Sequence, residues 1–278
     1  MELTNIVESN ENVKKIYFLC DDGAEVESCL LFLEKHGTVI CISSQVGCTQ
    51  KCKFCAAGLT KFVRNLTALE VQKQVELIIE KFPERFIDGF EITYMGSGEP
   101  FNNGETLKQT IEYFFFHYNN LNKINISTLL PRLEEDYYRE LKKYKEKLHL
   151  QFSLHFCTDD KRHQYFDFNL PSISDSLKYL DILSDQLNDK YTINYVLFDQ
   201  INDSSEDAIR LANWVNGREA YVKISEMSPI SKSKLKKSEK LEEFIHVLQE
   251  LHVQYECFKS LGKDVNAGCG QFYNESLI

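Results

Sequence analysis

The sequence lacks long apolar runs, an export signal and internal linkers. No stretch of about 18 residues is apolar and uncharged throughout, so we expect no membrane-spanning helix. Met1–Asn10 is polar and acidic and has neither the basic nor the apolar region of a signal peptide, so we expect a cytoplasmic protein. Proline is scarce, at 5 residues, and no Pro-, Gly- or Ser-rich segment divides the chain. These absences favour one globular domain.

Basic residues are also in deficit. The 278 residues include 32 Lys and Arg against 42 Asp and Glu, which gives a formal net charge of −10. Dedicated nucleic-acid binders are usually basic, so this balance counts against a large RNA footprint while leaving room for a basic patch. One basic run fits a phosphate contact and a solvated loop equally well: Lys232, Lys234, Lys236, Lys237 and Lys240.

Cysteine, by contrast, is plentiful. In a chain without an export signal, 9 cysteines indicate thiols or metal ligands rather than a disulfide framework. Cys48, Cys52 and Cys55 have the spacing C-x3-C-x2-C. Thiolates are the usual ligands of iron–sulfur clusters, commonly four per cluster, and three would leave one iron open to a substrate or cofactor. The alternative is zinc, which normally needs a fourth Cys or His that this segment does not contain.

Strand-like and helix-like patterns alternate from Thr38 onward. The patterns predict strands over 39–43, 90–95, 123–128, 149–155, 191–198, 221–225 and 252–258. They predict helices over 67–82, 105–118, 133–147, 174–187, 203–215 and 238–251. Two helices begin with the pattern of a capping box, Thr67 with Glu70 and Asp203 with Glu206. Repeated strand–helix units imply parallel strands with right-handed crossovers.

About six such units predict an α/β protein with a partial (β/α)6 barrel rather than a full barrel of eight units. Residues 14–20 and 26–33 predict an added β-hairpin. We therefore expect an N-terminal β extension over 1–37 and a barrel core over 38–278, within one domain. The cysteine segment directly follows the first strand of the core, where the loops of a parallel barrel form the active face.

The cysteine spacing, together with the aromatic Phe54 before the last cysteine, resembles the radical S-adenosylmethionine (SAM) superfamily. The resemblance implies a [4Fe–4S] cluster on Cys48, Cys52 and Cys55. It also implies that the open iron binds the amino and carboxylate groups of SAM. One-electron reduction of SAM would then give a 5′-deoxyadenosyl radical.

Ordered motifs narrow the resemblance to the RNA adenine methyl synthases, which methylate carbon 2 or carbon 8 of an adenine. The matching stretches span roughly residues 26–272 and are 41–48, 62–66, 95–100, 126–128, 153–155, 195–203 and 264–271. The resemblance implies ribosomal or transfer RNA as substrate and a reductant such as flavodoxin or ferredoxin. It also implies a SAM pocket formed by Gly98, Glu99, Ser127, Ser153, Leu154, His155 and Ser228.

The same resemblance implies covalent catalysis by two cysteines. Cys269 would accept a methyl group from a first SAM and carry it to the adenine as a thiomethylene radical. A base would remove the proton from the ring carbon, and Glu27 matches that base once a gap of one residue is allowed. Cys41 would then attack Cys269 and release the product. The alternative for each cysteine is a buried small apolar residue, which is the role we assign to Cys20, Cys29, Cys157 and Cys257.

Three departures from the family pattern bear on the substrate. Too little chain precedes Cys41 for the family's N-terminal helical domain, Ser228 replaces an Asn that contacts SAM, and Phe166–Pro171 lacks the family's basic residues. We therefore expect an RNA adenine methyl synthase and keep two alternatives. One is the same mechanism on a nucleotide, small heteroaromatic or peptide. The other is a non-catalytic metal- or RNA-binding relative.

Overall fold

The computed structural model describes residues 1–34, 36–133, 139–166, 170–231 and 233–272. The strands within these residues are β1 (Glu2–Glu8), β2 (Val13–Leu19), β3 (Glu25–Leu33), β4 (Gly37–Ile42), β5 (Gln45–Val46), β6 (Arg64–Asn65), β7 (Phe90–Tyr94), β8 (Leu121–Thr128), β9 (Leu148–Ser153), β10 (Tyr191–Leu197), β11 (Ala220–Glu226) and β12 (Tyr255–Phe258). The α-helices are α1 (Ala68–Lys81), α2 (Gly104–His117), α3 (Asp159–Tyr165), α4 (Ile173–Leu187), α5 (Ser205–Val215) and α6 (Leu241–Glu250).

Ten strands form one sheet in the order β1-β2-β3-β4-β7-β8-β9-β10-β11-β12, and β5 pairs with β6 separately. The strands from β4 through β7 to β12 are parallel neighbours, whereas β1 to β4 are antiparallel. Because each crossover adds its strand on the same side, the sheet winds in one direction, as a barrel does and a doubly wound sheet does not. Six crossovers join these parallel strands, which confirms the predicted partial (β/α)6 barrel.

Helix α1 begins as its sequence predicts. The Thr67 backbone N–H donates to the Glu70 carboxylate at 2.8 Å, and the Glu70 N–H donates to the Thr67 hydroxyl at 3.2 Å. The helix buries Val71, Val75 and Ile78, which lie one turn apart on one face. This face joins the main apolar core, so the helix is fixed both at its end and along its length.

Two predicted helices differ from the structure. The predicted cap Asp203 is wrong, because α5 is capped by Ser204, whose hydroxyl accepts from the Asp207 N–H at 3.1 Å. Asp203 instead accepts from the Ser238 hydroxyl. In place of the predicted α-helix over 133–147, the described part forms a 3-10 helix, Arg139–Tyr144, and residues 134–138 lie outside the described residues. Leu141 is fully buried there.

The N-terminal segment forms three antiparallel strands rather than only a hairpin. The predicted hairpin corresponds to β2 and β3, and β1 pairs with β2 from Glu2 opposite Leu19 to Glu8 opposite Lys14. β1 has few buried residues and escaped prediction for that reason. The extension continues the barrel sheet, because β3 pairs with β4. Among the described residues, no helix has the length and apolar character needed to cross a bilayer.

Candidate active site

The cysteine segment follows β4 and is shaped by a glycine. Gly47 has φ +75°, and a Cβ there would collide with the Lys61 carbonyl oxygen, so a glycine is required. The Cys48, Cys52 and Cys55 side chains face one cavity at the carboxyl ends of the strands, which we name the upper cavity. Its volume is about 170 Å³. Other residues on its walls include Gln50, Met95, Gly98, Glu99, Ser127, Ser153, His155, Asn194, Lys223, Ser228 and Cys269.

The three thiols suit an iron–sulfur cluster. Burial raises the pKa of Cys48, Cys52 and Cys55, so a bound cation is needed to hold them as thiolates. The segment offers three thiols facing one cavity and contains no fourth Cys or His, which fits a cluster with one open iron better than a zinc site.

Phe54 anchors the cysteine segment to the barrel. Its ring packs against His155 at 5.1 Å and Phe198 at 4.9 Å between centroids, and also contacts Phe156 and Phe166. Aromatic contacts of this kind add to the apolar area that the ring buries. The aromatic residue between the second and third cysteines therefore fixes the loop on the carboxyl ends of the strands.

Glu99 is a buried carboxylate on the wall of the upper cavity. It accepts from the Thr128 hydroxyl at 2.5 Å, the Leu129 N–H at 2.9 Å and the Phe101 N–H at 3.1 Å. Burial raises its pKa to about 7, although these hydrogen bonds favour the ionised form. The three hydrogen bonds thus fix the orientation of the carboxylate, and a cationic partner would stabilise its ionised form.

Gly98 brings the chain close to the loop that precedes the cysteines. Its φ is +112°, and a Cβ would lie 2.5 Å from the Ser44 hydroxyl and 2.8 Å from the Gln45 side chain. A side chain at this position would therefore be both strained and crowded. The Glu99 N–H donates to the Gln45 side chain at 3.0 Å, which fixes the direction of the turn formed by Gly98, Glu99 and Pro100.

Polar side chains of β8, β9 and β10 meet on another wall of the upper cavity. The Ser127 and Ser153 hydroxyls lie 3.3 Å apart, and the Asn194 amide donates to Ser127 at 3.3 Å. His155 has φ +53°, and its Nδ1 accepts from the Val196 N–H at 3.2 Å. Burial, assisted by the nearby Arg162 cation, lowers the pKa of His155 to about 3, so the ring is neutral.

Leu154 and Ser228 occupy different surroundings. Leu154 is fully buried in the main core and does not line the upper cavity. Ser228 does line it, and its hydroxyl is buried without a hydrogen-bond partner among the described residues. A buried hydroxyl without a partner is costly, so it suits a polar group of a bound molecule.

Cys269 lies in a short turn close to the cysteine segment. Its N–H donates to the Ser260 hydroxyl at 2.7 Å, and its sulfur is 3.8 Å from that of Met95. The Gln271 side chain secures the turn by donating to the Pro229 carbonyl. Next in sequence, the Gly270 carbonyl accepts from the Ala56 N–H at 2.7 Å, which joins this turn to the cysteine segment.

Cys41 and Cys269 also line a second cavity, which we name the lower cavity. It lies inside the barrel, has a volume of about 210 Å³ and shares Met95, Lys223, Phe258 and Cys269 with the upper cavity. Burial and the neighbouring Cys269 raise the pKa of the Cys41 thiol. Cys41 is therefore a protonated thiol beside Cys269 unless a base assists it.

Glu27 is buried close to these cysteines but lines neither cavity. Its carboxylate pairs with the buried Lys15 ammonium at 3.1 Å. Lys15 also donates to the Asn266 carbonyl at 2.9 Å, so the pair lies under the Cys269 segment. The structure thus brings Glu27 near the catalytic candidates without placing its carboxylate on a cavity wall.

Within the described part of the basic run, Lys234, Lys236, Lys237 and Lys240 are exposed. Lys237 pairs with Glu226 at 2.8 Å on the rim of the upper cavity, and Lys232 lies outside the described residues. The segment Phe166–Pro171 is described at its ends, whereas residues 167–169 are not.

Polar residues of the upper cavity wall that were not predicted from the sequence include Gln50, Asn194 and Lys223. Asn194 and Lys223 each lie between two apolar residues of a strand, which is a signal that could have marked them. Gln50 lies between the first two cysteines and is buried, and its side-chain amide has no partner among the described residues. The burial of Gln50 could not be predicted from the sequence, because the loop around it is polar.

Comparison with known proteins agrees with this geometry. Residues 42–212 match the model of the radical SAM superfamily. The chain is 32% identical over 279 residues to a probable dual-specificity RNA methyltransferase RlmN of Clostridium botulinum, covering 97% of this chain and 78% of the relative. The corresponding protein of Clostridium perfringens is 32% identical over 271 residues, covering 95% and 76%.

One solved structure is similar over nearly the whole chain. It is a radical SAM methyltransferase from Sphaerobacter thermophilus, with a TM-score of 0.88 and 28% sequence identity. The match covers 97% of this chain and 80% of that one. The similarity therefore includes both the barrel and the N-terminal strands.

Proposed function

The chain belongs to the radical SAM superfamily and to its family of RlmN-like methyltransferases, and from that premise we propose that it methylates a ring carbon of adenine in RNA. It is an enzyme, so the non-catalytic alternative is set aside. RNA as substrate follows from what the relatives are named as modifying. The proposed target is carbon 2 or carbon 8, both of which are electrophilic amidine carbons of adenine.

The cofactors are a [4Fe–4S] cluster and SAM. Cys48, Cys52 and Cys55 would hold the cluster, which when reduced supplies the electron that cleaves SAM to a 5′-deoxyadenosyl radical. Glu99 would accept hydrogen bonds from the SAM ammonium, and Gly98 allows the close backbone approach that this contact needs. The unpartnered Ser228 hydroxyl and the Ser127, Ser153 and His155 wall would contact the rest of SAM.

A cysteine carrier solves the chemical difficulty of this reaction. The ring carbon of adenine is itself electrophilic, so it does not attack the methyl group of SAM. If Cys269 accepts the methyl group first, the sulfur can then stabilise a radical on the methylene carbon after one hydrogen atom is removed. Covalent catalysis thus divides one unfavourable transfer into two accessible steps.

The remaining steps use this chain's own side chains. The methylene carbon on Cys269 bonds to the ring carbon. The adduct then loses the ring proton, for which Glu27 is the candidate base, and one electron, which would return to the oxidised cluster. The Cys41 thiol gives up its proton and its sulfur bonds to the Cys269 sulfur. The bond between the Cys269 sulfur and the methylene carbon breaks, its electron pair stays with the adenine, and the methylene carbon takes a proton to become a methyl group. The protein retains a Cys41–Cys269 disulfide.

One observation carries this proposal: Cys269 lines both the upper cavity, with the three cysteines, and the lower cavity, with Cys41. A side chain in that position can meet a radical on one side and a resolving thiol on the other. An adenine would have to be extruded from its stack to reach it, as enzymes that act on bases require.

The first test is the mass of the Cys269 peptide from cluster-loaded protein prepared without oxygen. We expect a gain of one methyl group after SAM is added, and its loss in Cys269→Ala. Cys257 is exposed, so its assignment to packing is wrong. Cys257→Ala, which removes this exposed thiol, serves as the matched control and should still gain the methyl group on Cys269. An unmethylated Cys269 in protein that cleaves SAM would overturn the mechanism.

The second test identifies the substrate. Unmodified ribosomal and transfer RNA are incubated with the loaded enzyme, SAM and a reductant, and digested nucleosides are analysed for 2-methyladenosine and 8-methyladenosine. We expect one of these nucleosides. A methylated Cys269 with no methylated nucleoside would keep the mechanism and favour the alternative of a small heteroaromatic or peptide substrate.

A further inference from the structure

A third thiol, Cys29, lies directly beside the Cys41–Cys269 pair. Cys29 is the antiparallel partner of Cys41 across β3 and β4. Antiparallel partners have Cα atoms about 4.5–5.5 Å apart, inside the range of roughly 4.4–6.8 Å that disulfides require. Both side chains belong to one small apolar cluster. The Cys29 sulfur is 3.8 Å from the carbonyl oxygen of Ala267, two residues before Cys269.

A buried cation stands next to this thiol. Lys15 is the partner of Cys29 on its other side, across β2 and β3, and is 1% exposed. Burial, together with the neighbouring Cys41 and Glu27, raises the pKa of Cys29. The Lys15 ammonium, which is paired with Glu27, acts in the opposite direction. The thiolate is the nucleophile in disulfide exchange, so Cys29 has to give up its proton as it attacks.

The lower cavity connects this thiol with the outside of the barrel. Its walls include Cys29, Cys41 and Cys269. Its other end is formed by residues at the amino ends of the strands, among them His36 and Glu256, whose side chains are 50% and 37% exposed. A small molecule entering from this end would meet Cys29 and Cys41 without passing through the upper cavity, where the RNA base would lie.

We propose that Cys29 is a third reacting thiol, which takes over the disulfide left between Cys41 and Cys269. The idea rests on the proposed function, which is the source of that disulfide. The Cys29 sulfur attacks the Cys41 sulfur, a Cys29–Cys41 bond forms and the Cys41–Cys269 bond breaks. No electrons are gained or lost, and the proton that Cys29 gives up is balanced by the one that Cys269 takes.

Two consequences follow for turnover. Cys269 returns to the thiol form, ready to accept another methyl group, while the disulfide moves to the wall of the lower cavity. A small dithiol entering that cavity then reduces the Cys29–Cys41 bond, supplying two electrons and two protons and becoming a disulfide itself. The dithiol would therefore reduce the disulfide from the amino ends of the strands, and the RNA base would bind at their carboxyl ends.

The test maps disulfides without RNA. Cluster-loaded protein is equilibrated anaerobically in a series of reduced and oxidised glutathione mixtures, free thiols are blocked, and linked peptides are identified by mass spectrometry. Trypsin separates Cys29 from Cys41 at Lys35. We expect the Cys29–Cys41 link to be the more abundant in wild type, to persist in Cys269→Ala, and to be replaced by Cys41–Cys269 in Cys29→Ala.

Cys20→Ala is the matched control, because Cys20 is a buried thiol of the same N-terminal strands whose charged neighbours are Glu70 and Arg64. It should leave the pattern of links unchanged. If Cys29 stays a free thiol in both wild type and Cys269→Ala at every glutathione ratio, the proposal is overturned, whether or not Cys29→Ala folds. Failure of the proposed function is a separate result, namely the absence of methyl from Cys269 in protein that cleaves SAM.

Discussion

The Thr128 hydroxyl donates to the Glu99 carboxylate at 2.5 Å, so the end of β8 orients the acidic group that follows β7. Under the proposed function, this carboxylate would accept the SAM ammonium group without rearrangement. We expect Glu99→Gln to weaken SAM binding on the order of 10- to 100-fold, because a hydrogen bond between two charged groups becomes one with a neutral amide. Equilibrium dialysis of cluster-loaded protein measures this. Glu105→Gln, an exposed change in α2, is the control and should bind as wild type does.

SAM binding should also depend on pH through Glu99. Its pKa is raised to about 7, so the ionised form is lost as the pH falls through that value. Between pH 8 and pH 6 the ionised fraction falls by about tenfold, and the affinity for SAM should fall with it. The affinity of Glu99→Gln should be low and nearly constant over this range. A wild-type affinity that does not change with pH would contradict the role of this carboxylate.

Gly98→Ala should be more damaging than an alanine at another glycine with positive φ. At Gly98 a Cβ would meet the Ser44 hydroxyl at 2.5 Å, whereas at Gly217, with φ +83°, nothing lies within 4 Å. We expect Gly217→Ala to lower the free energy of unfolding by about 1 kcal/mol, from backbone strain alone. Gly98→Ala should cost roughly 3 kcal/mol, because crowding is added to strain. Denaturant unfolding of the two variants side by side decides the matter.

The Asn202 side chain forms hydrogen bonds with the backbone of His155, Val196 and Phe198. Its amide donates to the His155 carbonyl at 2.6 Å and the Val196 carbonyl at 2.8 Å, and accepts from the Phe198 N–H at 2.7 Å. Asn202→Ala leaves these buried groups without partners and should cost roughly 3 kcal/mol of unfolding free energy. Asn188→Ala, which changes an exposed contact with Glu146, should cost much less. Equal losses in the two variants would show that the Asn202 hydrogen bonds are not structurally important.

Cys41→Ala should separate methyl transfer from product release. Cys269 keeps its thiol in this variant and should still gain a methyl group from SAM. The later attack on Cys269 has no nucleophile, so a covalent adduct between the protein and the RNA should accumulate, visible as a shifted band on a denaturing gel. Release of methylated RNA at the wild-type rate would assign product release to another group.

Much of the fold could be predicted because its signals are local. The capping box of Thr67 with Glu70 and the apolar spacing of α1 both hold in the structure. The helix α3 was missed, although Thr158 caps it and Asp159 and Asp160 occupy its first turn. The cap of α5 was placed one residue early, because Asp203 satisfies the same pattern but is already bonded to Ser238. Contacts between distant segments decide such cases.

The cysteines of the candidate site could be predicted because cluster binding requires a characteristic spacing. The burial and the partners of the other site residues could not be predicted in this way. The spacing of Cys48, Cys52 and Cys55 pointed to one cavity, and all three face it. The surroundings of Glu27 could not be predicted, since its partner Lys15 comes from a different strand. Cys29 looked like a packing residue, because only the register of β3 on β4 reveals that it stands opposite Cys41.

The hydrogen bond from Ala56 to the Gly270 carbonyl joins parts of the chain that are made at very different times. Ala56 directly follows the third cysteine, whereas Gly270 lies 214 positions later in the sequence. Cys269, next to Gly270, cannot take its place beside the cysteine segment until all of the barrel strands have been made. A chain that stops before Cys269 would therefore have the barrel and the three cysteines but would lack the methyl carrier of the proposed reaction.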